Sequence, residues 1–307
     1  MKTVAAETSS EVSDTRYLTE RVRGGALADF AELIKARLTL LVLVTTAVGF
    51  YLGATGPISY RALFHAVFGT ALAAAGAAAL NQWWERRPDA LMERTKLRPI
   101  PAGRMSPRDG LFIGSLLGVA GSIYLAVACN WLSAILAIAT IAIYIFAYTP
   151  LKRITATNTL VGAIPGAIPP LIGWGAASGD LALPAWSLFS ILFFWQMPHF
   201  FAIAWMYRGD YARAGFRMLS QSDEDGKRSA FQSVLFSALL IPASALPALF
   251  GVTSREYLPI EIGLSALFLF LAIAFYLRRD VSRARRLFVG SIVYLPLLLA
   301  VLVLTKR

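Results

Sequence analysis

The sequence predicts an all-α polytopic membrane protein with nine transmembrane helices, on three observations. Of its 307 residues, 57% are hydrophobic and 15% charged, against about 25% charged in an ordinary soluble domain. The charged residues avoid nine segments: 39–57, 62–82, 111–127, 132–149, 159–177, 185–206, 230–251, 262–277 and 287–304. Their lengths of 16 to 22 residues bracket the roughly 20 needed to cross the hydrocarbon core. The third observation is the placing of Lys and Arg on alternate connections, 25 on one side against Arg61, Arg255, Lys306 and Arg307 on the other. Basic residues favour the cytoplasmic face, so the N-terminus is predicted to be cytoplasmic and the C-terminus extracytoplasmic. The net charge of +11 then reads as topology, with anionic headgroups and an anionic substrate as its partners and no nucleic acid.

In chain order, residues 1–25 are rich in Ser, Thr and charge and are expected to be a mobile cytoplasmic tail. Residues 26–307 form a single transmembrane domain. Glu7, Glu11, Asp14, Glu20, Asp29 and Glu32 argue against a mitochondrial transit peptide, and a bacterial inner membrane is expected. The second span is small-sided, Gly69 being followed by Ala71, Ala73 to Ala75, Gly76 and Ala77 to Ala79. Small residues let helix backbones approach closely in lipid; they also leave room for a bulky apolar ligand. Cys129 falls at the extracytoplasmic turn after the third span, so no internal disulfide is available. Pro165, Pro169 and Pro170 should bend or break the fifth span. Two long cytoplasmic connections, 83–110 and 207–229, mix acids and bases.

Chemistry concentrates where spans meet those connections. Asn81, Glu85, Asp89 and Glu93 are four apart, one face of a continuous helix. Pro88 argues instead for a helix end and a second short helix beginning there. With Arg86, Arg87, Arg94, Lys96 and Arg98 nearby, two readings stand: a solvated salt-bridge face, or a diphosphate held through Mg²⁺, which takes one or two carboxylates plus phosphate oxygens and water. Asn81 and Gln82 lie just inside the membrane edge, where polar side chains are costly and often functional.

The sixth span carries Phe193-Phe194-Trp195-Gln196-Met197-Pro198-His199-Phe200-Phe201 and ends near Asp210. His199 is a packed core residue or, beside Gln196 within a span, a ligand for haem iron; the aromatics pack, or line an isoprenoid pocket. His65 is expected to be structural. Lys152 and Arg153 after Tyr148 mark topology or neutralise a leaving diphosphate.

Together these residues resemble the UbiA-type intramembrane prenyltransferases, over nearly the whole chain. The resemblance is carried by Lys35-Ala-Arg-Leu-Thr, the first acidic motif with Arg94-Thr95-Lys96-Leu97-Arg98-Pro99, Tyr148-Thr149-Pro150-Leu151-Lys152-Arg153 with Asn158, Gly162 to Pro170, Phe194 to Phe200, and Asp210-Tyr211. It implies the UbiA-type bundle, and Asn81, Glu85, Asp89, Lys152, Arg153 and Asp210 as catalytic residues. Glu85, Asp89 and Asp210 are implied for Mg²⁺, and Arg94, Arg98, Tyr148, Asn158, Gln196 and His199 for substrates. Within the family it implies farnesyl diphosphate and protohaem IX as substrates, haem O as product, and the downstream haem A synthase as a partner. Other members act on quinone or chlorophyll precursors. A different class, a transporter of an anionic lipid or porphyrin, would place its site near the midplane, whereas these acids gather at one face. The chain departs from the family at Arg87, where an aspartate is common, and in offering Asp210 alone where others pair two; Asp223, Glu224 or Asp225 would complete the second motif.

Overall fold

The computed structural model describes residues 25–307; the tail expected over 1–25 falls, but for Gly25, outside the described residues. A short helix α1 (Ala26–Leu33) precedes the first membrane-length helix, α2 (Ala36–Gly53). There follow α3 (Tyr60–Asp89), α4 (Pro107–Ala128) and α5 (Trp131–Ala142), which continues through a π-helical turn at Ile143–Tyr148 and Thr149–Leu151. The fifth span is split into α6 (Asn158–Ala167) and α7 (Pro169–Ser178). After α8 (Leu183–Met206) and the short α9 (Arg208–Arg213), α10 (Lys227–Leu249), α11 (Tyr257–Leu277) and α12 (Val281–Leu304) complete the chain. Nine spans are long and apolar enough to cross a membrane among the described residues.

Local sequence sets the starts. Ser59, Ser106, Asn130 and Asp280 each accept a backbone N–H from the first turn of α3, α4, α5 and α12, satisfying donors that a helix leaves orphaned. The predicted break in the fifth span lies at Ile168, whose carbonyl opens α7 by receiving Leu171 N at 2.8 Å and Ile172 N at 3.2 Å. Pro169 and Pro170 supply no N–H, and both are buried.

The spans form a ring in sequence order, with α12 returning to α8 and α2. The fifth and sixth spans are the most enclosed, while α4 and α11 turn most of their surface outward. Small residues set the closest crossings. A Cβ on Gly76 would run into the Gly118 backbone, and one on Gly173 into the Thr46 carbonyl, so α3 packs on α4, and α7 on α2, backbone to backbone. A small apolar cavity remains between α2, α3, α5 and α7, bordered by Val42, Thr70, Ala74, Thr140 and Pro169.

Pro88 does not start a new helix. α3 runs through it to Asp89, and 90–106 pass through turns with no helix before Pro107. The ring removes the bond that residue 88 would otherwise give to the Trp84 carbonyl, and the helix ends one residue later.

Candidate active site

The end of α3 gathers the first acidic motif by helical periodicity, and each member meets a cation from a different segment. Asn81 is fully buried; its Oδ1 accepts from Lys35 Nζ at 2.6 Å, and its Nδ2 donates to Thr149 Oγ1 at 3.1 Å. Lys152 Nζ donates to Glu85 Oε1 at 2.8 Å and Oε2 at 3.1 Å. Arg98 Nη1 pairs with Asp89 Oδ2 at 2.6 Å, leaving Asp89 Oδ1 buried without a partner. Glu93, by contrast, is exposed and pairs with exposed Lys96, which is the solvated face.

Segment 94–98 ties the two acidic motifs together. Thr95 Oγ1 donates to Asp89 O at 2.9 Å, Arg94 N donates to Asp210 Oδ2 at 3.4 Å, and the exposed Arg94 guanidinium reaches Tyr211 OH at 3.4 Å. Asp210 is also paired with Arg213. Asp223 does not join it: its carboxylate receives Arg228 N and Ser229 N at the start of α10, while Glu224 and Asp225 are exposed.

The π-helical turn brings Tyr144 and Tyr148 into a stack 5.5 Å apart, and Lys152 Nζ sits 4.5 Å from the Tyr148 ring centroid. π-turns of this kind favour functional sites. Burial by itself would lower the Lys152 pKa, but Glu85, Tyr148 and Tyr144 together outweigh it and hold the ammonium above its ordinary range. Asn158 fastens loops rather than facing the acids: its Nδ2 donates to Thr155 O and Arg217 O. Arg153 is exposed, and no ion pair holds it among the described residues.

His199 and Gln196 lie apart from each other's partners. Gln196 Nε2 donates to Ala163 O at 2.7 Å across to α6. His199 Nδ1 bonds Ser291 Oγ at 2.7 Å on α12, its ring stacked on Trp195 and tilted against Phe288. With the Ser291 hydroxyl hydrogen given to Phe288 O, the tautomer that fits is the one in which Nδ1–H donates to Ser291 Oγ and Nε2 keeps its lone pair. Phe193, Phe194 and Phe201 pack among neighbours that include Phe236 of α10. His65 bonds Tyr124 OH at 2.7 Å, a structural contact between α3 and α4.

Sequence reasoning missed Lys35 as a site residue. Burial, with Arg98 adding to it, pulls its pKa from 10.5 down to about 7, against the opposing pull of Glu85. Among six basic residues before the first span, nothing local distinguishes it from a topology marker.

The oxygen-only donor set at this face suits a hard cation. Of the three carboxylates expected to bind metal, Asp89 alone keeps an oxygen free of protein partners, and no cluster of three or more His, Cys, Asp or Glu able to hold a metal occurs among the described residues. Such a site fits an ion that arrives with phosphate oxygens.

The profile of the UbiA prenyltransferase family matches residues 42–299. A protein of Solibacter usitatus named protoheme IX farnesyltransferase is 44% identical over 289 residues, covering 91% of this chain and 99% of its own. Among solved structures, that of a digeranylgeranylglyceryl phosphate synthase superposes with a TM-score of 0.76 at 15% identity, covering 91% of this chain and 98% of the other. A UbiA homolog from Archaeoglobus fulgidus bound to GPP and Mg²⁺ does so at 0.68 and 15%, covering 90% and 99%. At that identity these two share the fold.

Proposed function

The chain belongs to the UbiA prenyltransferase family, and on that premise we propose that it moves the farnesyl group of farnesyl diphosphate onto a vinyl group of protohaem IX. Water adds to the same vinyl group, giving haem O for haem A and terminal oxidase biogenesis. The observation that carries this reading is the 44% identity to the Solibacter farnesyltransferase across nearly the full length of both chains. The charge asymmetry of the connections supports a bacterial inner membrane, with the acidic face and the N-terminus in the cytoplasm and haem A synthase as the next enzyme.

Farnesyl diphosphate enters with its diphosphate at the Asn81, Glu85 and Asp89 face. Its tail runs down α3 toward the cavity at Thr70 and Ala74, seven or more residues and so roughly 10 Å deeper. Asp89, through its free Oδ1, and Asp210 hold Mg²⁺, with Glu85 beside them. The ion, when bound, neutralises charge on the departing diphosphate. Lys152, Arg98, Arg94 and Lys35 stabilise that charge as the C1–O bond breaks, because they are already placed and need no reorganisation. The vinyl π electrons then form the bond to C1, and water captures the resulting cation and gives up a proton. The Tyr144 and Tyr148 faces lie beside the cleft, where an aromatic ring favours positive charge.

His199 supports the choice of acceptor. Its Nδ1–H is held by Ser291, the arrangement that orients an imidazole and leaves Nε2 for a metal, here the iron of the substrate. A member acting on a quinone precursor would need no such residue. Purified protein incubated with protohaem IX, farnesyl diphosphate and Mg²⁺ should yield a species heavier than protohaem by one farnesyl and one hydroxyl by mass spectrometry. Absence of that product, with a quinone precursor accepted in its place, would overturn the assignment.

A further inference from the structure

α1 ends at Leu33, and of its last carbonyls Glu32 O receives Lys35 N at 3.1 Å while Leu33 O has no backbone donor. Gln82 of α3 ties both to the bundle: its Nε2 donates to Glu32 O at 2.7 Å and to Leu33 O at 3.0 Å. Those two carbonyls fix which end of the amide faces the turn, and Oε1 is left buried without a partner. Thr39 closes the turn from the other side, its Oγ1 donating to Ile34 O at 2.8 Å. Between these ties Lys35 is the one non-glycine residue with positive φ among those described, at φ 50° and ψ 51°.

A side chain with a Cβ disfavours that region, which is why glycine usually follows a helix end. Such strain persists only where the surroundings over-determine it, and it concentrates at functional sites. Here the strained backbone delivers Lys35 Nζ to Asn81, and the residue next to Asn81 holds the turn that delivers it.

We propose that Gln82 is a positioning residue of the prenyl transfer: it acts through the turn at 32–35 to hold Lys35 against Asn81, beside the cleft from which diphosphate departs. The inference rests on the reading of that cleft as the farnesyl diphosphate site. A Gln82 that only capped α1 would contribute to stability and nothing else.

A double-mutant cycle separates the two. Initial rates with purified full-length Gln82→Met should give kcat/KM for farnesyl diphosphate about tenfold below wild type, the lower bound for a residue that orients another's contact, and Lys35→Met, which removes the donor itself, roughly a hundredfold below. The double variant should be no worse than Lys35→Met alone. Thr39→Val, a milder loosening of the same turn, should lose a few-fold in the wild-type background and nothing in Lys35→Met, which keeps the test open if Gln82→Met does not fold. Losses that multiply, or Gln82→Met and Thr39→Val both at the wild-type rate, would overturn the role. Wild-type protein is titrated with farnesyl diphosphate in parallel. Failure to bind removes the reading of the cleft and this inference together; binding with multiplying losses removes only the inference.

Discussion

Lys35 reaches Asn81 Oδ1 at 2.6 Å from a backbone in the left-handed region, so the first helix enters the bundle strained and with a half-buried cation pointed at the acidic face. Replacing Lys35 by Gly relieves a left-handed penalty of about 1–2 kcal/mol and removes a half-buried charge, at the cost of its hydrogen bonds to Asn81 Oδ1 and Tyr144 OH. The variant should unfold at or above the wild-type temperature while losing roughly a hundredfold or more in turnover, the size of effect seen when one charge-stabilising donor is removed. A lower unfolding temperature with activity retained would make Lys35 structural.

The same lysine predicts a pH dependence. Its pKa falls on folding from 10.5 to about 7, so between those values the unfolded chain binds more protons there than the folded one, and stability rises with pH across the window. Without ligand, the unfolding temperature of the wild type should gain on that of Lys35→Met from about pH 7 toward pH 10.5 and hold a constant offset below it. A constant offset throughout would show that Lys35 keeps its ordinary pKa.

Buried Glu85 is paired with the half-buried Lys152. Lys152→Met should destabilise by about 3–5 kcal/mol because it strands a buried carboxylate, and adding Glu85→Gln should restore most of the loss. Neither Glu85→Gln nor the double variant should turn over substrate. Activity in the rescued double variant would remove the pair from the chemistry.

His199 is bonded to Ser291 through Nδ1, leaving Nε2 for iron. Purified His199→Ala should bind farnesyl diphosphate normally, show a weakened or shifted haem absorption band, and lose product, with a stability cost of about 1 kcal/mol for the lost hydrogen bond, since Ser291 keeps its bond to Phe288 O. His65→Ala should match wild type in all but stability. An unchanged haem spectrum in His199→Ala would end the ligand role.

The spans were legible within a few residues because a charge-free run is a property of the chain taken in order, and so was the break beside Pro169. What the sequence concealed depends on partners distant along the chain. That Glu85 meets Lys152, Asn81 meets Lys35 and Asp210 meets the Arg94 amide cannot be read from any one segment. The left-handed Lys35 was hidden because α1, only eight residues long, carries too few turns to reveal where a helix stops.

The central claim is that Asp89, the one of the three expected metal carboxylates with an oxygen free of protein partners, receives a divalent ion only together with a diphosphate. Mn²⁺ can stand in for Mg²⁺ at oxygen sites, and electron paramagnetic resonance counts its free and bound forms. Wild-type protein should bind Mn²⁺ appreciably only once farnesyl diphosphate is added, and Asp89→Asn, though folded, should lose that ternary binding. Equal Mn²⁺ binding by wild type and Asp89→Asn in the presence of farnesyl diphosphate would contradict the account.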